Sequence, residues 1–147
     1  MLPSLIERYV RSGKLKIEYR SRVTVTLKAG VFKNQQMAAL AAGRQNKLWN
    51  FIELFYHEQG PEHSGYVTER YLQGLAQQVR GLNLVEWTAA RNDPDLARTL
   101  TTDARAASGA GINRTPTFLL RHTGPRPSYL DAIEQQLRGR PSSKAGE

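Results

Sequence analysis

The apolar residues of this chain change their spacing along its length, and that change limits the folds open to it. From Asn34 to Gly109 they recur at the intervals of successive amphipathic helices, whereas the flanks read differently. Leu15, Ile17 and Tyr19 alternate with Lys16, Glu18 and Arg20, the period of a half-buried strand, and the same parity continues through Val23, Val25 and Leu27. One uninterrupted strand of that length is unusual, so a break near Ser21 is expected, with a second strand over Val23–Leu27. After the helical block, Thr117-Phe118-Leu119-Leu120 is a compact apolar run suited to a buried strand.

The helices carry their own punctuation. Leu2, Leu5, Ile6, Tyr9 and Val10 form a short stripe that Gly13 can close. Met37, Leu40 and Ala41 mark a second helix, interrupted from Gly43 to Asn46, and Leu48, Phe51, Ile52 and Phe55 mark a third. A polar turn spans Gln59 to Gly65. Thr68 can then cap a helix bearing Tyr71, Leu72, Leu75 and Val79, with Gly81 at its end. Asn83 with Glu86 three residues on reads as a capping box opening a short helix with Leu84, Val85 and Trp87. Asp93-Pro94 opens the next, whose buried face is Leu96, Leu100, Ala104 and Ala107. Thr123 to Pro127 is a turn, Ser128 with Asp131 starts a last helix carrying Leu130, Ile133 and Leu137, and the polar stretch 139–147 is expected to be disordered.

Composition narrows the chemistry. The chain of 147 residues has no cysteine, which removes disulfides, thiolate metal ligands and cysteine nucleophiles together. A net charge of +8 favours anionic partners, but the basic residues are dispersed and accompany no recognition-helix, zinc-finger or RNP pattern, so no specific nucleic acid is expected. No apolar run approaches the length of a membrane span. His57, Glu58, Glu62 and His63 are ligand types that zinc accepts, at a spacing that does not demand a metal. Gly109-Ala110-Gly111 follows a helix and reads as its stop rather than a phosphate loop, and no nucleophile elbow occurs. The aromatics Trp49, Phe51, Phe55 and Trp87 lie on apolar stripes and are explained by burial, so no cofactor is called for.

Several long segments resemble the DsbA-like thioredoxin-fold disulfide oxidoreductases. LPSLIERYVRSGKLKIEYRS is similar to the end of that family's redox helix and the strand after it. QQMAALAAGRQNKLWNFIELFYHEQG is similar to the start of its helical insertion, and YLQGLAQQVRGLNLVEWTAARND and Thr-Pro-Thr-Phe-Leu continue the likeness, which covers about Leu2 to Leu120. The resemblance implies an α/β, thioredoxin-like fold with an all-helical insertion. Its sheet would be incomplete at the N-terminal strand, because the opening strand and the Cys-x-x-Cys segment would precede Met1. The implied arrangement is one domain over 1–138, with a thioredoxin part at about 1–31 and 112–138 and the insertion at about 32–111.

In that family a cis-proline loop lies beside the cysteine pair and pairs with extended substrate peptide, as an added strand would. The matching residues here are Thr115 and Pro116. Read from the residues alone, the same dipeptide ends a loop and starts a strand. Arg114 stands where relatives often have Gly and would crowd or contact a peptide in that groove. Arg114, Thr115 and Pro116 are therefore the substrate-binding candidates, with no catalytic residue in the chain. Loss of a strand from the sheet's middle would leave unpaired backbone, which Val23–Leu27 or a second copy would fill, giving self-association through an open sheet edge. The implied function is that of a thiol–disulfide oxidoreductase family member without its nucleophile, inactive alone or a fragment of a longer enzyme. The alternative is a non-catalytic module for peptides or acidic partners. The family is extracytoplasmic, whereas MLPSLIERYVRSGK has no export-signal pattern and this chain is expected to stay in the cytoplasm.

Overall fold

The computed structural model describes residues 2–23, 28–61 and 63–138. They form α1 (Leu2–Leu5), running directly into a π-helical turn (Ile6–Val10), then α2 (Ala29–Gly43), α3 (Leu48–His57), α4 (Glu69–Gln78), α5 (Leu84–Ala90), α6 (Pro94–Gly109) and α7 (Leu130–Arg138). The chain divides into two compact units, one made of residues 20–115 and the other of 1–19 with 116–147.

In the unit of residues 20–115, α2 is the central element and packs against α3, α4, α5 and α6. Its alanines make this possible: Ala38, Ala41 and Ala42 are fully buried, and small side chains let neighbouring helices approach closely. Phe51 of α3 and Trp87 of α5 fill the space beside them with ring centroids 6.2 Å apart, both 1% exposed. The Trp87 indole N–H donates to the Ala38 carbonyl at 2.8 Å, so burying the ring leaves no orphan donor.

The boundaries follow the expected chemistry in most places. Thr68 Oγ1 accepts from the Tyr71 N–H, and Asp93 accepts from the Asp95 N–H with Pro94 in the first turn. At Asn83 the cap differs from a capping box. Its Oδ1 accepts from the Val85 and Glu86 N–H groups, but Glu86 takes the Asn83 side-chain amide. The Asn83 peptide is instead clamped by Gln45, whose Oε1 accepts from its N–H at 2.8 Å and whose Nε2 donates to its carbonyl at 3.0 Å. Helix α2 starts at Ala29, five residues before Asn34, because tertiary burial of Phe32 carries a turn whose Gly30 reads locally as loop.

In the other unit, Leu5, Leu130 and Ile133 are the most buried apolar side chains. Tyr129, just before α7, stacks on Tyr9 at 6.1 Å, donates its hydroxyl to the Lys14 carbonyl at 3.2 Å and lies 5.8 Å beneath the Lys14 ammonium. Gly13, at φ +72°, turns the chain out of the preceding helical turn.

The expected α/β architecture is not what forms: among the described residues every regular element is helical and there is no strand. Over Leu15–Arg20 the side chains alternate as read, with Leu15, Ile17 and Tyr19 half-buried and Lys16, Glu18 and Arg20 exposed, yet the segment joins no ladder. Alternation assigns faces; a strand also requires a backbone partner in register. Thr117–Leu119 are exposed and Leu120 half-buried, contrary to the buried strand expected there, since burial on both faces needs sheet neighbours on both sides. The open sheet edge expected to mediate self-association is likewise not seen among the described residues. Val23 is exposed, and the remainder of the expected second strand, 24–27, lies outside the described residues, as does 139–147. Trp49 is also a correction, standing 44% exposed on α3 rather than in the core.

Candidate functional site

The turn that carries Arg114, Thr115 and Pro116 is set up by the end of α6. Gly111 adopts φ +63°, its N–H bonds to the Ser108 carbonyl at 3.1 Å, and the Ile112 N–H reaches back to the Ala107 carbonyl at 2.9 Å. These are the two bonds of a Schellman motif, which satisfies the last carbonyls and sends the chain away from the helix axis. The backbone then bends through 114–116 and continues without regular structure to residue 123. Proline fixes φ near −65°, removes one N–H and pushes the preceding residue towards extended geometry. Arg114, Thr115 and Pro116 are all exposed, and so are Thr117, Phe118 and Leu119. The boundary between the two units falls between Thr115 and Pro116.

A second feature was not singled out from the sequence. Asn34, Met37, Glu69, Thr88, Arg91 and Asn92 line an open polar hollow of about 260 Å³ between α2, α4 and α5. Arg91, with its side chain 13% exposed, lies with its guanidinium 4.8 Å from the Trp87 ring centre and grips the Glu69 carboxylate with both terminal nitrogens. That grip holds the Glu69 carboxyl below its ordinary value, against a smaller opposing effect of burial. The arrangement is a buttress between α4 and α5, its one cation answered by its one carboxylate. Glu69 and Arg91 stand 22 residues apart, and no local pattern announces such a pair.

The aromatic cluster of Phe55, Tyr66 and Tyr71 is likewise structural. The Tyr71 hydroxyl bonds to the Glu58 carbonyl at 3.0 Å at the end of α3, and burial, with Tyr66 and Glu58 adding to it, pushes its phenol up to about 12. His57 ends α3 and His63 sits in the following turn at φ +63°, while Glu62 lies outside the described residues. Among the described residues no three His, Asp or Glu side chains converge to hold a metal ion.

The family model described as thioredoxin matches residues 1–137. The chain belongs to the thioredoxin family. The match spans both units of this thioredoxin-family chain, including the 114–116 turn and all seven α-helices except the last residue of α7. No curated protein and no solved structure matched it. No described helix of this family member is long and apolar enough to cross a membrane.

Proposed function

We propose that this thioredoxin-family chain is the peptide-holding part of a DsbA-like thiol–disulfide oxidoreductase, and that alone it performs no thiol exchange. The observation that carries the reading is a family match over 1–137 in a chain without cysteine. Exchange proceeds by attack of a thiolate on a disulfide sulfur through a mixed disulfide. The only sulfur here is in two methionine thioethers, which have no proton to lose and cannot become that nucleophile. The redox cysteines in this reading belong to a segment outside these 147 residues. In this reading residues of about 1–31 and 112–138 form the thioredoxin part and 32–111 its helical insertion. The exposed turn at Arg114, Thr115 and Pro116 is where an extended peptide lies.

Two measurements test this. The purified chain, free of contaminating reductases, is expected to show no catalysed reduction or oxidation of a protein disulfide; turnover refutes the reading outright. A fluorescein-labelled ten-residue peptide with a central Leu-Phe-Val is expected to bind, and Pro116→Ala to weaken it at least about fivefold with unchanged thermal unfolding. Loss of binding with rising salt alone, indifferent to Pro116→Ala, would favour a module that holds acidic partners by its +8 charge. In-frame DNA upstream encoding Cys-x-x-Cys supports the longer enzyme, and an in-frame stop overturns that part of the proposal.

A further inference from the structure

Immediately after Pro116 the surface pairs two kinds of chemistry. Phe118 and Leu119 are 39% and 58% exposed, an apolar pair in a stretch of no regular structure. Arg121 is exposed and lies two residues beyond Leu119, so their Cα atoms are at most about 7 Å apart.

The charge of this unit is unevenly satisfied. Among its described residues, acids are engaged with particular arginines: Glu7 with Arg11 at 3.1 Å, Asp131 with Arg126 at 2.6 Å, and Glu134 with Arg126 and Arg138 at 2.9 and 3.3 Å. Glu18 also has an interaction partner. Among the described residues Lys14, Lys16 and Arg121 form no ion pair, although Lys14 lies over the Tyr129 ring. Among the described residues, the unit that exposes Phe118 and Leu119 thus carries cationic side chains beyond those its described carboxylates answer.

We propose that the segment beginning at Pro116 selects extended peptides in which apolar residues are flanked by Asp or Glu. Phe118 and Leu119 contact the apolar residues, and Arg121, two residues beyond Leu119, sets the preference for acidic flanks. The inference rests on the peptide-holding reading above and adds the class of peptide. Like-charge juxtaposition disfavours basic sequences, so the surface discriminates by repulsion as well as attraction.

The test uses the full chain and three labelled peptides sharing a central Leu-Phe-Val, with Asp-Glu, Ser-Ser or Lys-Lys pairs on both sides. Fluorescence anisotropy at moderate ionic strength is expected to rank them acidic, neutral, basic, with about tenfold between the first and last. Arg121→Glu is expected to reverse the order, a readout that mere loss of structure cannot mimic. Phe118→Ser with Leu119→Ser is expected to weaken all three peptides together. Equal binding of the three, or an order unmoved by the charge reversal, overturns this inference and leaves the peptide-holding reading standing. Absence of binding by every peptide overturns both. Concentration-dependent dimerisation abolished by Phe118→Ser and Leu119→Ser would assign the patch to a second copy and overturn the acidic-peptide proposal.

Discussion

Asp103→Ala should unfasten the start of the helical unit, and the structure sets the size of the effect. Asp103 is on α6 with its side chain 2% exposed, and its carboxylate accepts from Arg20 Nη1 at 3.0 Å, from the Ser21 N–H at 2.9 Å and from Ser21 Oγ at 3.1 Å. Ser21 is itself 4% exposed, so the alanine leaves a buried backbone donor without its acceptor, at about 1–3 kcal/mol. The released hydroxyl adds less because it can rotate to another acceptor. Arg20 is 57% exposed, so loss of this ion pair adds about 0–1 kcal/mol. The sum is about 3 kcal/mol, which at a urea dependence of about 2 kcal/mol per molar shifts the midpoint down by about 1.5 M. Unfolding is read by fluorescence of the buried Trp87, and exchange of the Ser21 amide proton should change from slow to fast. Ser21→Ala, which keeps the 2.9 Å backbone bond, should cost only about 1 kcal/mol. If Asp103→Ala falls within about 0.5 kcal/mol of the parent, or costs no more than Ser21→Ala, the carboxylate does not anchor residues 20 and 21 and the reasoning fails.

Two further outcomes follow from the titrating groups. Because Arg91 holds the Glu69 carboxyl below its unfolded value, the pair stabilises the fold above the ordinary carboxylate range. That contribution is lost as pH falls through the lowered value. Urea midpoints of the parent and Glu69→Gln should therefore differ at pH 7 and converge under strong acid; a gap that widens on acidification contradicts the assignment. Tyr71 is raised from 10.0 to about 12, so the folded state holds its proton longer and stability should fall as pH rises between those values. Tyr71→Phe should cost about 1 kcal/mol and remove the phenol raised to about 12 from an ultraviolet absorbance titration.

What the sequence discloses about this molecule tracks the distance over which each feature is decided. Helix caps at Thr68, Asn83 and Asp93 are legible because each bond closes within three residues. The stripes of α3, α4 and α6 are legible because burial on a helix follows its own period. The Gln45 clamp on Asn83 spans 38 residues and the Asp103 anchor of Ser21 spans 82, and neither leaves a local trace. Trp49 was misplaced for a related reason: an aromatic at helical spacing marks a face without saying whether another helix covers it.

Strand formation is the extreme of the same rule. Leu15–Arg20 alternates in burial as its pattern demands, so the local half of the inference holds at each residue, and the element still does not form because its other half belongs to a partner backbone. The candidate site inherits this dependence. Thr115 and Pro116 could be picked out by likeness to a family loop, whereas the exposure of Phe118 and Leu119 beside them follows from the absence of sheet neighbours and could not be read from Thr117–Leu120 alone. An apolar run with strand propensity therefore carries two opposite meanings: buried between neighbours it is core, and without them it is surface available to a peptide. Which meaning applies to Phe118 is decided by the backbone groups at its sides, so binding at this segment and pairing of this segment are one equilibrium. A peptide that adds its backbone there should slow amide exchange across Thr117–Leu120 in proportion to occupancy. Contact through side chains alone would leave that exchange unchanged.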